Sequence, residues 1–518
     1  MTRIPLLTAV LLFLFVLQGT AQEHFEPGPN SFRYPNNPEG QLTHHTWTSN
    51  IYPNTIRDYW IYVPAQYDAL QAAALMVFQD GHTYLKADGD FRVPVVFDNL
   101  ISQGKMPVTI GLFINPGHDT DAEKPENPFR ATNRSVEYDE VSGTYARFLI
   151  EEIIPELEKE YNISADPKMR AICGLSSGGI CAFSAAWFRP DAFHRVLSHI
   201  GSFTDIRGGH NYPSMIRKND KKDIKVFLQD GTNDLDNRFG NWWLANLQME
   251  AALKFKDFDY QFVSSDGAHD GKHGGAILPE SLTWLWSDAV PGRVESKLYP
   301  IAAAEQEPVL VKGRTVHFSE LEVKLIKLGE NETLTIAQEV DKERMFIVLN
   351  GEIEVKFGTT EQFIGANSVA FLAAGETGTI LSKNPESRLY QIKHQSAKPK
   401  NKDSDAELAS FIINFDSLSF RPHMRGGVRN YFRSSTAQCS YYEMHVTTLN
   451  PGIKSHEPHT HSAEEFILMI EGTTEMEIGN EVFPATQPGD LYYAGANVPH
   501  AIRNTGTKPC MYFAFQWE

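Results

Sequence analysis

The residues around Ser176 have the types and the spacing of a nucleophile motif. Gly174-Leu175-Ser176-Ser177-Gly178 follows the pattern Gly-x-Ser-x-Gly, which sets a serine on a sharp turn between a strand and a helix. Apolar residues 171–173 predict a buried strand before the turn, and residues 177–188 predict a helix that ends ahead of Pro190. A hydroxyl exposed at such a turn can attack a carbonyl carbon, and the helix N-terminus favours the developing oxyanion.

A serine nucleophile requires a base, and the base requires an acid that orients it. A predicted strand at residues 224–229 leads into Asp230, Asp234 and Asp236. Hydrolases with this turn carry the three groups in the order serine, acid, histidine. Asp234 is therefore the predicted acid and Asp236 the alternative, while Asp230 fits a turn-making role.

Two histidines follow the next predicted strand, residues 260–264. His269 stands closer to the strand end and is the predicted base. His273 remains open as the alternative, because the geometry of a loop is not fixed by its sequence.

An oxyanion hole requires two backbone N–H donors. The N–H of Ser177, directly after the nucleophile, is the first predicted donor. The second is predicted to come from Gly81-His82, which follows a strand-like run at residues 75–79.

A histidine cluster near the C-terminus has the spacing of a metal site. His459 and His461, two residues apart, would project from the same face of a strand. Glu465 and His500 can complete a set of three nitrogens and one oxygen around one divalent ion, and this ligand set suits Zn, Mn, Fe, Ni or Cu. His456 is a further nearby candidate without an assigned position.

The elements that must position these residues form two kinds of pattern. Strands alternate with helices up to residue 290, which predicts an α/β domain with a doubly wound sheet covered on both faces. Short alternating strands with glycine-rich turns follow, which predict two all-β barrels. Residues 345–351 and 466–472 resemble each other and indicate an internal repeat.

These patterns predict the following division of the chain. The predicted units are a signal peptide (1–21), an α/β domain that carries the Ser176 motif (22–290), a linker (291–308), a first barrel (309–394), a second linker (395–405) and a metal-binding barrel (406–518). When the repeats are aligned, the positions of His459, His461 and Glu465 are taken in the first barrel by Gln338, Val340 and Arg344. The first barrel is therefore predicted to bind no metal.

Two resemblances cover most of these motifs. Tyr62-Val63-Pro64, Phe78-Gln79-Asp80-Gly81, the Ser176 motif, Asp230-Gly231-Thr232-Asn233-Asp234 and Gly267-Ala268-His269 resemble the enterochelin-esterase-like family, which includes feruloyl and acetyl esterases and formylglutathione hydrolases. That resemblance covers about residues 40–290 and implies an α/β-hydrolase with serine carboxylesterase activity. Residues 420–518 resemble both cupin motifs, with one extra residue between Gly452 and His459.

Composition limits the partners and the compartment. The 518 residues carry a formal net charge of -18, which argues against nucleic acid and anionic membranes as partners. Residues 1–21 combine Arg3, an apolar run and a small-residue cleavage site, as in secretory signals. We expect export to a bacterial periplasm or beyond, with no membrane span. Cys439 and Cys510 are candidates for a disulfide there.

Together these observations predict a secreted serine carboxylesterase with an appended metal-binding cupin. Its ester would be sugar-linked, aromatic-acid or siderophore-like, and the esterase itself would need no cofactor. One alternative is a bifunctional enzyme whose cupin performs a second, metal-dependent step on the ester product. Another is that the barrels bind carbohydrate or form a homodimer.

Overall fold

The computed structural model of the protein describes residues 25–35, 37–397 and 409–518. The predicted signal peptide and most of the predicted linker 395–405 lie outside these residues. Among the described residues, no helix is both long enough and apolar enough to cross a membrane.

The first half of the chain forms one mixed β-sheet with helices on both faces. The strands of this region are β1 Gln41–Thr48, β2 Thr55–Val63, β3 Ala74–Gln79, β4 Thr109–Ile114, β5 His118–Asp119, β6 Arg170–Leu175, β7 Arg195–His199, β8 Lys225–Asn233, β9 Asp236–Asn237, β10 Gly240–Asn241 and β11 Asp259–Ala268. Its α-helices are α1 Val93–Ser102, α2 Arg134–Tyr138, α3 Thr144–Phe148, α4 Ile154–Leu157, α5 Ser177–Phe188, α6 Tyr212–Lys218, α7 Trp242–Phe255, α8 Lys272–Ala276 and α9 Leu278–Leu285.

The strand order is β1-β2-β4-β3-β6-β7-β8-β11, with the short strand β5 paired to β2. The pairs from β4 to β11 are parallel, and β1 and β2 run antiparallel at one edge. Strands β3 and β4 are buried at every residue, because helices cover both faces of a parallel sheet. One apolar cluster packs under α5, α6 and α7, and another packs under α1 and α9. The predicted α/β class is confirmed.

The predicted helix at residues 145–161 is broken into two short helices. A π-helical turn at Leu149–Ile153 separates α3 from α4. Pro155 lacks an N–H and its ring would meet the carbonyl of Glu151, so the regular hydrogen-bond ladder cannot continue through this turn. The sequence predicts a kink at Pro155, and the structure has a π-helical turn that ends two residues before this proline.

The second half of the chain is built from short antiparallel strands. Its helix is α10 Ile301–Gln306. Its strands are β12 Lys297–Tyr299, β13 Val309–Gly313, β14 Phe318–Gly329, β15 Thr333–Ile336, β16 Glu343–Asn350, β17 Ile353–Phe357, β18 Thr360–Ile364, β19 Val369–Leu372, β20 Gly378–Ser382, β21 Glu386–Ser396, β22 Phe411–Ile413, β23 Arg421–His423, β24 Gly426–Ser434, β25 Tyr442–Leu449, β26 Glu464–Glu471, β27 Thr474–Ile478, β28 Glu481–Ala485, β29 Leu491–Ala494, β30 His500–Asn504 and β31 Cys510–Trp517.

Each barrel consists of a larger and a smaller sheet. The first barrel has the orders β13-β14-β21-β16-β19-β22 and β15-β20-β17-β18. The second has β12-β29-β26-β31-β25-β24-β23 and β28-β27-β30. Each barrel encloses its own apolar cluster, and a third cluster joins residues from the larger sheets of both barrels. We call this third cluster the inter-barrel core.

The two barrels exchange edge strands, which corrects the predicted boundaries. Strand β12 lies in the segment 291–308, predicted to be a linker, yet it pairs with β29 of the second barrel. Strand β22, assigned by sequence to the last domain, pairs with β19 of the first barrel. Composition identified the breaks in pattern, but strand exchange involves residues far apart in sequence and leaves no local signal.

The predicted Cys439–Cys510 disulfide is wrong. All four cysteines are buried and remain thiols. Cys439 belongs to the inter-barrel core, whereas Cys510 belongs to the interior of the second barrel. The two side chains therefore face different cores.

Candidate active site and metal centre

Ser176 occupies a strained turn between β6 and α5. Its backbone has φ 56° and ψ −120°, a combination that non-glycine residues adopt only when the surrounding structure imposes it. Gly174 is required nearby, because a Cβ at that position would lie 2.2 Å from the Gly178 carbonyl oxygen. The elbow predicted from the sequence is therefore present in the backbone.

The predicted triad residues form one hydrogen-bonded chain. The Nε2 atom of His269 lies 2.9 Å from the Ser176 Oγ atom. The Nδ1 atom of His269 lies 2.5 Å from Asp234 Oδ1. The Asp234 side chain is fully buried, and its Oδ1 also accepts the N–H of Leu235 at 2.5 Å. With Nδ1–H directed at a carboxylate, Nε2 is available to accept a proton from the serine.

The two alternatives do not contact the serine. His273 is buried, with its Nδ1 atom 3.0 Å from Gln229 Nε2 and 2.8 Å from Ser265 Oγ. Asp236 is exposed in the β9–β10 hairpin. The geometry therefore brings His269 and Asp234, rather than His273 and Asp236, to Ser176.

Asp230 is a residue whose environment the sequence did not reveal. It is fully buried, accepting hydrogen bonds from the Gly231 N–H at 2.8 Å and from Asn246 Nδ2 at 2.8 Å. Burial, followed by its hydrogen bond with Asp234 and that residue's charge, raises the pKa of Asp230 to about 9. The pKa of Asp234 is lowered: burial opposes ionisation, but the hydrogen bonds from His269 and Asp230 outweigh it. At neutral pH, one carboxyl of the pair is protonated and the other is ionised.

We expect Asp230→Asn to keep most of the hydrolytic activity, because a neutral side chain replaces a neutral acid. Asp234→Asn should lower kcat by roughly 10⁴-fold, since an amide cannot hold the histidine in the required tautomer. Parallel assays of the two variants on one ester provide the comparison. A loss in Asp230→Asn as large as in Asp234→Asn would contradict this assignment.

The raised pKa of Asp230 also predicts how stability depends on pH. Asp230 keeps its proton in the folded protein up to about pH 9, whereas the ordinary pKa of an aspartic acid is 3.8. Between these two values the folded state binds more protons than the unfolded state, so this group's contribution to stability falls as pH rises. We therefore expect the Tm of Asp230→Asn, measured relative to the wild-type Tm, to rise as the pH increases between these two values. Thermal unfolding at several pH values measures this difference. A constant difference in Tm would contradict the raised pKa.

The predicted oxyanion donors have different surroundings. Ser177 is the first residue of α5, a position whose N–H has no partner within its own helix. The N–H of His82 donates to Asn115 Oδ1 at 3.2 Å, and its ring Nδ1 lies 2.8 Å from the same oxygen. Gly81 is buried against the backbone of Phe113. For His82 to act as the second oxyanion donor, its N–H would have to break its hydrogen bond with Asn115 Oδ1.

A cleft of about 390 Å³ opens at the serine. Beside Ser176 and His269 it is lined by Thr83, Asp90, Phe91, Phe129, Arg134, Leu175, Asp270 and Gly271. An ion pair with the fully buried Asp80 holds the Arg134 side chain in place, with 2.7 Å between Arg134 Nη2 and Asp80 Oδ2. Apart from Leu175, which belongs to the Ser176 motif, these lining residues were not singled out by sequence, because they lie on separate segments that only folding brings together.

Trp242 supports the serine rather than forming an open pocket wall. It is buried, and its Nε1–H donates to Ser202 Oγ at 3.0 Å. That hydroxyl lies 3.2 Å from Ser176 Oγ. The indole also meets the His269 ring edge-on, with centroids 5.8 Å apart.

The predicted metal ligands converge in the second barrel. The candidate ligand atoms of His459, His461 and His500 lie within 4.8 Å of one another. Glu465 joins them through its Oε2 atom, 3.0 Å from His500 Nε2. His459 does not lie on a regular strand as predicted; it forms an isolated antiparallel bridge with His500.

The orientation of the imidazoles fits a cation. His461 and His500 use Nδ1 to donate to the carbonyls of Ala463 and Val498, at 2.7 and 2.8 Å. Their Nε2 atoms are directed to the cluster, and that of His461 is buried without a hydrogen-bond partner. Metal-binding histidines are held in the same way.

The charges of the cluster also suit a cation. Burial opposes ionisation of Glu465, but the hydrogen bond and charge of His500 lower the pKa of this carboxyl to about 2. Burial and the neighbouring imidazoles lower the pKa of His459 to about 4. Metal binding requires such an ionised carboxylate and neutral imidazoles. Burial opposes protonation of His500, but its hydrogen bond with Glu465 raises the pKa of this imidazole, so an ion that binds His500 Nε2 must displace the proton there.

A pocket of about 300 Å³ adjoins this cluster. His456 lines it, with its ring centroid 4.0 Å from that of His459. His423, Arg425, His445 and Gln516 line the pocket as well, and no sequence pattern points to them. His445 lies on β25 and Gln516 on β31, far from the motif in sequence.

The first barrel has none of these groups at the aligned positions. Gln338 and Val340 are exposed, and Arg344 forms an ion pair with Glu339. His500 pairs with Ile478 in the second barrel, and Gly378 pairs with Phe357 in the same way in the first. A glycine therefore occupies the first-barrel position that corresponds to His500. The Phe357 ring lies where a side chain at Gly378 would project.

The fold and the sites define an α/β-hydrolase-type domain fused to a double cupin barrel. Residues 52–283 match the family model described as a putative esterase, and residues 445–515 match that of the cupin domain. Residues 52–283 are thus similar to esterase domains, and residues 445–515 are similar to cupin domains.

Individual proteins resemble parts of this chain. YjcH of Bacillus subtilis (strain 168), named an uncharacterized protein, is 23% identical over 227 residues, which cover 43% of this chain and 88% of YjcH. The structure of the enterobactin esterase FES from Shigella flexneri aligns with a TM-score of 0.40 and 21% identity, covering 51% of this chain and 63% of FES. A putative glyoxylate-induced protein from Pseudomonas aeruginosa aligns with a TM-score of 0.33 and 15% identity, covering 38% of this chain and 74% of that protein.

Proposed function

We propose that this protein is a secreted serine carboxylesterase. The observation that carries the proposal is the continuous hydrogen-bonded chain from Ser176 through His269 to the buried Asp234. Membership of residues 52–283 in an esterase family supports the same reaction class. The secretory pattern of residues 1–21 supports export.

The proposed reaction uses the geometry of the triad. The Ser176 Oγ atom attacks the ester carbonyl carbon while His269 Nε2 accepts the hydroxyl proton. The carbonyl oxygen gains negative charge, which the Ser177 N–H at the start of α5 stabilises. His269 then returns its proton to the leaving alcohol, and water, activated by the same nitrogen, releases the acid from the acyl-enzyme.

The cleft favours a compact ester with an aromatic part. Phe91 and Phe129 supply apolar surface near the serine, and the Arg134 guanidinium lies 5.2 Å from the centre of the Phe129 ring. Arg134 is neutralised by its ion pair with Asp80, so the described residues that line the cleft offer no unpaired Lys or Arg side chain to an acidic substrate. We propose an ester of an aromatic acid, sugar-linked or siderophore-like, as the substrate class.

The second barrel is proposed to hold one divalent ion through His459, His461, Glu465 and His500. Such an ion would supply a positive charge that polarises oxygen atoms of a bound ligand. The adjoining pocket of about 300 Å³ leaves room for a small ligand next to this ion, which the bifunctional and the carbohydrate-binding alternatives both require.

Covalent labelling tests the esterase proposal. A fluorophosphonate should modify one residue of the full chain, and mass spectrometry should locate the modification on the peptide that contains Ser176. An aromatic-acid ester should protect this residue and be hydrolysed faster than an aliphatic ester of the same alcohol. Labelling that misses Ser176 would contradict the proposal, whereas equal hydrolysis of both esters would contradict only the substrate class.

A further inference from the structure

Two buried glutamates occupy equivalent places in the inter-barrel core. Glu343 begins β16 of the first barrel, and Glu464 begins β26 of the second. Both side chains are fully buried. Strand alternation directs them to the same side as Met345 and Phe466, which belong to the core between the barrels.

Glu464 is surrounded by hydrogen-bond donors. It accepts from the Tyr493 hydroxyl at 2.7 Å, from Trp517 Nε1 at 2.9 Å and from the Val316 N–H at 3.0 Å. The Thr315 hydroxyl also donates to it. A buried carboxylate with this many donors is satisfied without any further ligand.

The equivalent donors are replaced around Glu343. His394 pairs with Glu343 where Trp517 pairs with Glu464. Phe371, which lacks a hydroxyl, pairs with Met345 as Tyr493 pairs with Phe466. The threonine is kept: the Thr436 hydroxyl donates to Glu343 Oε2 at 2.6 Å.

A cysteine completes the substitution. The N–H of Cys439 donates to Thr436 Oγ1 at 3.0 Å, as the N–H of Phe318 donates to Thr315 Oγ1 at 3.0 Å. Cys439 therefore has the position near Glu343 that Phe318 has near Glu464, so a thiol replaces a phenyl group. The indole of Trp517 is likewise replaced by the imidazole of His394. Imidazole and thiol groups are both metal ligands.

The cluster leaves buried polar atoms without hydrogen-bond partners. These atoms are Glu343 Oε1, His394 Nδ1 and the Tyr442 hydroxyl. The Tyr442 ring lies 5.6 Å from the His394 ring, measured between centroids. Buried polar atoms without partners are rare in folded proteins, and they mark this cluster as a polar site within an otherwise apolar core.

The distances within the cluster suit one tetrahedral cation. Glu343 Oε2 lies 3.2 Å from His394 Nε2, which lies 3.9 Å from Cys439 Sγ. The candidate ligand atoms of the three residues are all within 4.8 Å of one another. Zinc bonds of about 2.0 Å to nitrogen and oxygen and about 2.3 Å to sulfur put tetrahedral ligands roughly 3.3 to 3.7 Å apart.

We propose that Glu343, His394 and Cys439 supply three of the four ligands of a Zn²⁺ ion between the two barrels. On binding, the Cys439 thiol loses its proton, and the thiolate and the carboxylate together balance the two charges of the ion. A neutral cluster of this kind is compatible with the apolar inter-barrel core. The ion links β16 and β21 of the first barrel to the segment that precedes β25, and it is separate from the His459 cluster.

Cobalt substitution distinguishes this site from the histidine cluster. The full chain carrying His459→Ala/His461→Ala is loaded with Co²⁺, and its absorption spectrum is recorded. A thiolate-to-cobalt charge-transfer band in the near ultraviolet is expected, because only a cysteine ligand produces it. Elemental analysis of the zinc-loaded form should give about one ion per chain.

Two cysteine variants decide the assignment. Cys439→Ser in the same background should remove the band and the ion, and Cys510→Ser, which changes a buried thiol elsewhere in the barrels, should keep both. If Cys439→Ser does not fold, Glu343→Gln serves as the second variant. We expect Glu343→Gln to weaken zinc binding at least about 10-fold. Absence of the band in the folded, cobalt-loaded protein, or its persistence in Cys439→Ser, would overturn the proposal.

Discussion

Ser176→Ala is expected to reduce kcat/KM for ester hydrolysis by at least about 10⁴-fold. The Oγ atom that this change removes is the atom of the triad positioned to form the acyl-enzyme, with His269 Nε2 at 2.9 Å. The variant should fold normally, because alanine fits the space of serine. Steady-state assays on a chromogenic acetate ester, with Tm as the control for folding, provide the measurement. Near-normal activity in the folded variant would end the hydrolase proposal.

The two histidines provide a matched control for the base. His269→Gln should lose nearly as much activity as Ser176→Ala, since residues that act as a unit fail together. His273→Gln removes a buried imidazole 2.8 Å from Ser265 Oγ, so it should affect stability more than kcat. The reverse order of losses would assign the base to His273.

His459→Ala/His461→Ala is expected to lower the metal content of the purified protein by about one ion per chain. These two residues supply two of the three imidazoles whose candidate ligand atoms lie within 4.8 Å of one another. Of the proposed ligand set, only His500 and Glu465 would then remain, and two ligands are too few to retain a divalent ion through purification. Elemental analysis of the wild type and the variant, purified in parallel, measures the difference.

Two further variants control the metal experiment. Gln338→Ala changes the aligned position in the first barrel, where the side chain is exposed, and should leave the metal content unchanged. His456→Ala tests the imidazole next to His459, to which the sequence assigned no role. Unchanged metal content in the double variant would contradict the proposed ligand set. Full esterase activity in that variant would assign the cupin a separate task.

Local sequence predicted most of the hydrolase domain correctly. The buried runs around residues 75–79 and 224–229 became β3 and β8, because a strand covered on both faces must be apolar at nearly every position. The elbow was equally visible, since Gly174 is required by the close approach of the Gly178 carbonyl. Sequence patterns succeed where the constraint acts between neighbours along the chain.

The barrels were predicted as a class but not in their connections. The alternating pattern and the repeat established two similar units, yet β12 and β22 each complete the sheet of the other unit. A strand of three residues carries too little pattern to reveal its partner. For the same reason residues 291–308, which contain β12, were predicted to be a linker.

The sequence by itself determined the type of chemistry and the residues available for it. It supplied the serine, the candidate acids and histidines, and the ligand set of the second barrel. The tertiary structure alone decided between His269 and His273 as the partner of Ser176, because the path of a loop depends on everything packed around it. It alone decided between Asp234 and Asp236 as the partner of His269. It revealed the opposite pKa shifts of Asp230 and Asp234, which come from burial and from each other. It also brought Glu343, His394 and Cys439 together from three distant segments, which only the packing of one barrel on the other can do.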